Sequence, residues 1–131
     1  MPGFLLGTDT VSYALRGRGQ VATHLLNHRP SEIRVSSITL AELRYGADRN
    51  RSRKLHRLID TFIAAIPILP FDQNAADRFG AVATALATRG MPIGEFDTLI
   101  AAHALAAGLT LVTNNTSHFA RISGLKVENW I

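Results

Sequence analysis

Cysteine is absent, which excludes a disulfide framework and a zinc–thiolate site. No apolar run approaches the eighteen or so residues that a membrane span requires, so no membrane role is expected. The opening Met1-Pro2-Gly3-Phe4-Leu5-Leu6 lacks a charged leader and a long apolar stretch, and a cytoplasmic protein is expected. Charge is sparse at 18%, and lysine is nearly missing: all the basic residues but Lys54 and Lys126 are arginine. With 47% hydrophobic residues in 131, the chain has the composition of a globular protein and the length of one domain, residues 1–131.

The charge that is present lies unevenly. Residues 1–66 carry ten Lys/Arg against five Asp/Glu, and residues 67–131 carry four against five. Arg44, Arg49, Arg51, Arg53, Lys54 and Arg57 crowd one stretch. Such a run suits RNA or an acidic protein partner; the competing reading is a solvated helix face.

Apolar patterning gives short strands at Phe4–Leu6, Ile33–Ser37, Ile66–Pro70, Leu109–Thr113 and Leu125–Glu128. Between them lie helical stretches: Thr10–Leu15, Val21–His28, Thr39 to about Ala47, Arg51–Ile63, a segment capped by Asp72, and Gly94–Gly108. In the Asp72 segment Ala76, Phe79, Ala83 and Leu86 are expected inward. Asn114–His118 reads as a polar loop. Strands alternating with helices predict a three-layer α/β/α domain with a central, mainly parallel sheet. Ligands bind such sheets outside the carboxyl ends of the strands.

Gly94–Leu105 is the stretch the others serve. It sets Asp97 in the first turn of a helix apolar on nearly every face, where the helix dipole favours an anion. Asp9 follows the first strand, Glu42 the second, and Asn114, Asn115 and His118 the fourth. Gathered on one edge, the acids would repel one another unless a cation neutralised them. Oxygen donors without cysteine select Mg²⁺, with Mn²⁺ as the other choice. Local readings compete. Asp97 and Asp9 suit helix starts, Thr39 and Glu42 have capping-box spacing, and His103 suits a packed core position.

Taken together, Leu5–Asp9, Ser37–Gly46, Pro92–Leu105 and Leu111–Asn115 with Phe119 resemble PIN-domain ribonucleases, and more closely the VapC-type toxins of toxin–antitoxin pairs. The resemblance implies a Mg²⁺- or Mn²⁺-dependent endoribonuclease, often acting on tRNA, with an antitoxin across its cleft and a homodimeric state. Glu42 and Asp97 match two of the family's acids. The family's first acid ends strand one, in a pattern like Leu-Leu-Asp-Thr-Asn; here that place is Gly7, and Asp9 stands at the Asn place. Asn115 and His118 stand where relatives offer a further carboxylate. The resemblance therefore implies a metal site of Asp97, Glu42 and the place of Gly7, flanked by Asp9, Asn115 and His118. Arg44, Arg49, Arg51, Arg53 and Arg57 would meet RNA or antitoxin. Gly7 implies weak or absent cleavage.

Two alternatives remain at this point. One is a nuclease-dead module that binds RNA or antitoxin. The other is a haloacid-dehalogenase-type phosphatase, suggested by Gly7-Thr8-Asp9-Thr10-Val11 but lacking that chemistry's late acidic pair.

Overall fold

The computed structural model describes residues 3–131; Met1 and Pro2, part of the uncharged start, lie outside the described residues. Five strands form one sheet: β1 (Phe4–Leu6), β2 (Ile33–Ser36), β3 (Ile68–Leu69), β4 (Thr110–Val112) and β5 (Val127–Glu128). Their order is β3-β2-β1-β4-β5, and every neighbouring pair is parallel. The expected sheet is thus present, and fully rather than mainly parallel.

Among the described residues seven α-helices accompany it: α1 (Thr8–Leu15), α2 (Val21–Leu26), α3 (Ser37–Arg49), α4 (Arg53–Ala65), α5 (Gln73–Thr88), α6 (Glu95–Ala107) and the single turn α7 (Thr116–Phe119). Strand alternation divides the core between the two faces. Phe4, Leu6, Val35 and Val112 point to one face, where Val11, Leu43, Ile59 and Trp130 pack on them. Leu5 and Leu111 point to the other, against Val82, Leu86, Ile100, Ala101 and Ala104. This is a three-layer α/β/α arrangement.

The sheet fixes where a site can form. The chain runs from β1 outward through β2 to β3, then returns to lay β4 on the other side of β1. The direction of winding therefore reverses between β1 and β4. A crevice opens at such a reversal, beyond the carboxyl ends of the strands. Gly7 and Thr113 are the first residues past those two ends.

Four local expectations are corrected. Helix α3 starts at Ser37, not Thr39, because the Ser36 hydroxyl accepts the Ile38 N–H at 3.0 Å and caps it. Thr39 lies inside that helix, so no Thr39–Glu42 capping box exists there. Helix α4 begins at Arg53, capped by Ser52, and leaves Arg51 outside at φ +50°. Asp72 does cap α5, but Ala75 is buried there and Ala76 is exposed. The polar loop after β4 is partly helical, as α7, since Asn115 starts a turn that buries Phe119.

Candidate active site

Strand β1 ends at Leu6, and Gly7 continues it in extended backbone at φ −70°, ψ 164°. Its N–H donates to the Val112 carbonyl at 2.8 Å, so it is still paired to β4. Alternation carries position 7 to the Leu5 face, which α6 covers. A Cβ there would lie 3.0 Å from both Asp9 Oδ1 and the Val112 carbonyl, and 3.6 Å from Thr113 Cβ. The place is tight, but it is not filled by another side chain's carbon.

The backbone turns into α1 at Thr8, so Asp9 sits in the first turn of that helix and not along β1. Asp9 does not cap α1 with its side chain either; the cap residue is Gly7. Its carboxylate instead ties the two central strand ends together. Oδ1 accepts the Thr10 N–H at 2.8 Å, and Oδ2 accepts the Asn114 N–H at 2.8 Å and the Thr113 hydroxyl at 3.0 Å. Thr10 in turn donates its hydroxyl to the Val112 carbonyl at 2.9 Å. The phosphatase alternative needs a nucleophilic carboxylate at the first acid of its motif, and that place is Gly7, which has no side chain, while Asp9 is held by these donors.

Glu42 reaches the same region from α3. Its Oε1 accepts the Thr8 hydroxyl at 2.6 Å, which fixes the carboxylate over the end of β1. The sequence gives no signal for this contact of Thr8 beyond its place after the strand. Thr113 is equally unannounced: its hydroxyl donates to Asp9 and accepts the Asn115 N–H at 3.0 Å.

Asp97 arrives from α6, half-buried in the first turn. Gly94, at φ +98°, turns the chain into that helix through a region closed to most side chains. Burial holds the Asp97 carboxyl above its ordinary range, and the charges of Glu42 and Asp9 push it further up, while His118 pulls it down. Glu42, Asp9 and His118, far from Asp97 in sequence, therefore lie within electrostatic reach of it. Nδ1 of His118 is buried without a hydrogen-bond partner. Asn115 is exposed at the start of α7.

The basic run does not line this pit as a unit. Arg44 is engaged between helices: it pairs with Asp60 and donates to His56 Nδ1 at 2.9 Å, and His56 Nε2 donates to Asp48 at 2.8 Å. That network fastens α3 to α4 and removes Arg44 from the free cations. Arg49, Arg51, Arg53 and Arg57 are exposed around the α3–α4 turn. His103 is buried in α6, with Nδ1 2.9 Å from Ser36 Oγ and its ring edge-on to Phe71.

The donor chemistry can be set against a divalent ion. Burial first, and then the charges of Glu42 and Asp9, hold the Asp97 carboxyl high, and a cation beside it would oppose both. Among the described residues no three His, Cys, Asp or Glu side chains stand close enough to cage one ion. A pair of carboxylates fits Mg²⁺, which keeps several of its waters and takes one or two protein acids. It falls short of an all-protein cage.

Comparison with known proteins gives one answer. Residues 5–125 match the PIN domain family. The chain is 35% identical over 128 residues to a tRNA(fMet)-specific endonuclease VapC of Shigella flexneri, covering 97% of each. It is 40% identical over 130 residues to Ribonuclease VapC2 of Rickettsia felis, again covering 97% of each. A DNA-bound VapBC crystal structure from Salmonella typhimurium superimposes with a TM-score of 0.89 at 36% identity, over the full length of both chains. With this fold, this convergence of acids at the strand reversal and these matches over nearly its whole length, the chain belongs to the PIN domain family, in its VapC branch.

Proposed function

We propose that the chain is by lineage a metal-dependent endoribonuclease, the toxin of a toxin–antitoxin pair, crippled as written by Gly7. The observation that carries this is that Glu42, fixed by Thr8 at the end of β1, and Asp9, beside Gly7, both lie within electrostatic reach of Asp97. Glu42 and Asp97 would hold Mg²⁺, or Mn²⁺ in its place. When bound, the ion supplies an activated water and charge relief for an attacked phosphate. The chain's own contribution is positional. Thr8 orients Glu42, the α6 N-terminus orients Asp97, and Asp9 holds the β1 and β4 ends at a fixed separation through Thr10, Thr113 and Asn114.

Position 7 offers no oxygen, and the missing donor is the physical reason for weak cleavage. Loss even of a residue that only supports a metal ligand typically costs about 10–100-fold in affinity or activity. The VapC relatives' printed names support RNA, and tRNA in particular, as substrate. The VapBC assemblies among the solved relatives support a cognate antitoxin as partner. A homodimer and a cytoplasmic location complete the reading. A binding module for RNA or antitoxin is the second reading, favoured by the lack of three convergent ligands.

Gly7→Asp is the decisive variant. It is expected to cut a tRNA pool with Mg²⁺ or Mn²⁺ at least about 10–100-fold faster than the unaltered chain. Adding Glu42→Gln or Asp97→Asn to it should abolish that gain. A folded Gly7→Asp protein that leaves every tRNA intact would remove the ribonuclease reading.

A further inference from the structure

A groove of about 900 Å³ opens between α1, α3 and α4, and Glu42 is among the residues that line it. Its apolar wall includes Leu55 and Leu58, and its polar rim carries Arg16, Arg18 and Lys54. Arg49, Arg51, Arg53 and Arg57 do not line it, and neither does Arg44. Of the basic run that the sequence draws attention to, Lys54 alone lines the groove, and Arg16 and Arg18 come from outside that run.

These three charges are unneutralised. Among the described residues the ion pairs are those of Arg44 with Asp60 and His56 with Asp48. Arg16 is also steadied: its Nε donates to the Ser12 carbonyl at 3.3 Å, and its guanidinium lies over the Tyr13 ring at 5.5 Å. A stacked guanidinium with its outer nitrogens free is a good phosphate receiver.

We propose that this groove carries the single-stranded RNA flanking the phosphate at Glu42 and Asp97, with Arg16, Arg18 and Lys54 as its phosphate-tracking residues. The inference rests on the ribonuclease reading above and adds the path of the substrate. Charge decides the occupant. The lining carries three cations and one anion, Glu42, which suits a phosphate only across a divalent ion. A polyanion of regular spacing, with one phosphate beside Glu42 and its neighbours beside Arg16, Arg18 and Lys54, meets both conditions. Leu55 and Leu58 give the bases an apolar surface without reading their identity, so the groove holds a strand and does not select its sequence.

The slow cleavage expected of the chain as it exists makes equilibrium binding measurable. A fluorescein-labelled twelve-nucleotide single-stranded RNA, without divalent ions, serves as probe in anisotropy titrations across a salt series. The Arg16→Gln/Arg18→Gln/Lys54→Gln protein should bind at least about tenfold more weakly. Its slope of log affinity against log salt should be shallower by about 2, at roughly 0.7 for each lost contact to a single strand. The Arg49→Gln/Arg53→Gln/Arg57→Gln protein, with the same charge removed outside the groove, should keep most of the affinity and slope. Circular dichroism melts confirm that both variants fold.

Equal loss in the two variants, or a larger loss in the second, overturns the inference. Unchanged RNA affinity in the first variant together with loss of a co-expressed antitoxin also overturns it, and gives the groove to a protein. Failure of Gly7→Asp to cut tRNA bears on the ribonuclease reading alone, because the binding comparison needs no cleavage.

Discussion

Asp9 and Asp97 are aspartates in the first turns of their helices, yet they do different work. Asp9 is surrounded by donors and spends its carboxylate on Thr10, Thr113 and Asn114. Asp97 is half-buried, faces other acids and is held above its ordinary range by burial first and Glu42 second. Asp9→Ala would leave the Asn114 N–H and the Thr113 hydroxyl without their partner. The expected cost is about 1–3 kcal/mol in a urea unfolding titration, with the loop after β4 loosened most in hydrogen exchange. The sequence shows both aspartates beside strand or helix ends, and that is enough to nominate them. It does not show which one is saturated, because Asp9's partners at Thr113 and Asn114 lie at the far end of the chain. The same distance hides Thr8, whose role is visible only once Glu42 comes to rest against it.

Helix α6 is the element on which the site depends, and its alanines explain its position. Ala101, Ala102 and Ala104 are fully buried, and with Ala75 of α5 they let backbone approach backbone between that helix and its neighbours. Ala101→Leu is expected to overpack this layer and cost about 1–3 kcal/mol, read as a lower urea midpoint. It should also displace Asp97 enough to weaken any cleavage restored by Gly7→Asp. The element was legible beforehand: Gly94 and Gly108 mark its two ends, and the apolar faces mark it as interior. Other boundaries were not. Ser36 outcompetes Thr39 as the start of α3 because the sheet delivers Ser36 at the strand end with its hydroxyl placed to cap. The α7 turn was invisible because polar residues give no period, and burial of Phe119 supplies its stability. Charge clustering in the sequence likewise could not foresee that Arg44 is spent on Asp60 and His56.

For the molecule as a whole, pH sensitivity should come in part from His103. Burial pulls its pKa below the ordinary value of 6.5, against the opposing influences of Asp72 and the Pro70 carbonyl. Below about pH 6.5 the unfolded chain takes up this proton and the folded chain resists it, so stability falls on acidification. It stops falling from this source once the folded pKa is passed. Urea midpoints at pH 7.5, 6.0 and 5.0 should decline more for the unaltered chain than for His103→Gln, and identical declines would exclude the histidine as the source.

Because β1 lies between β2 and β4, its two neighbours come from opposite ends of the synthesis order. A ribosome that has released Asp97 has delivered both converging acids, but not the strand beside Gly7 or the Thr113 and Asn114 groups that Asp9 requires. The nascent polypeptide therefore holds no assembled centre for most of its translation. The centre closes late, when residues up to Asn114 have cleared the exit tunnel.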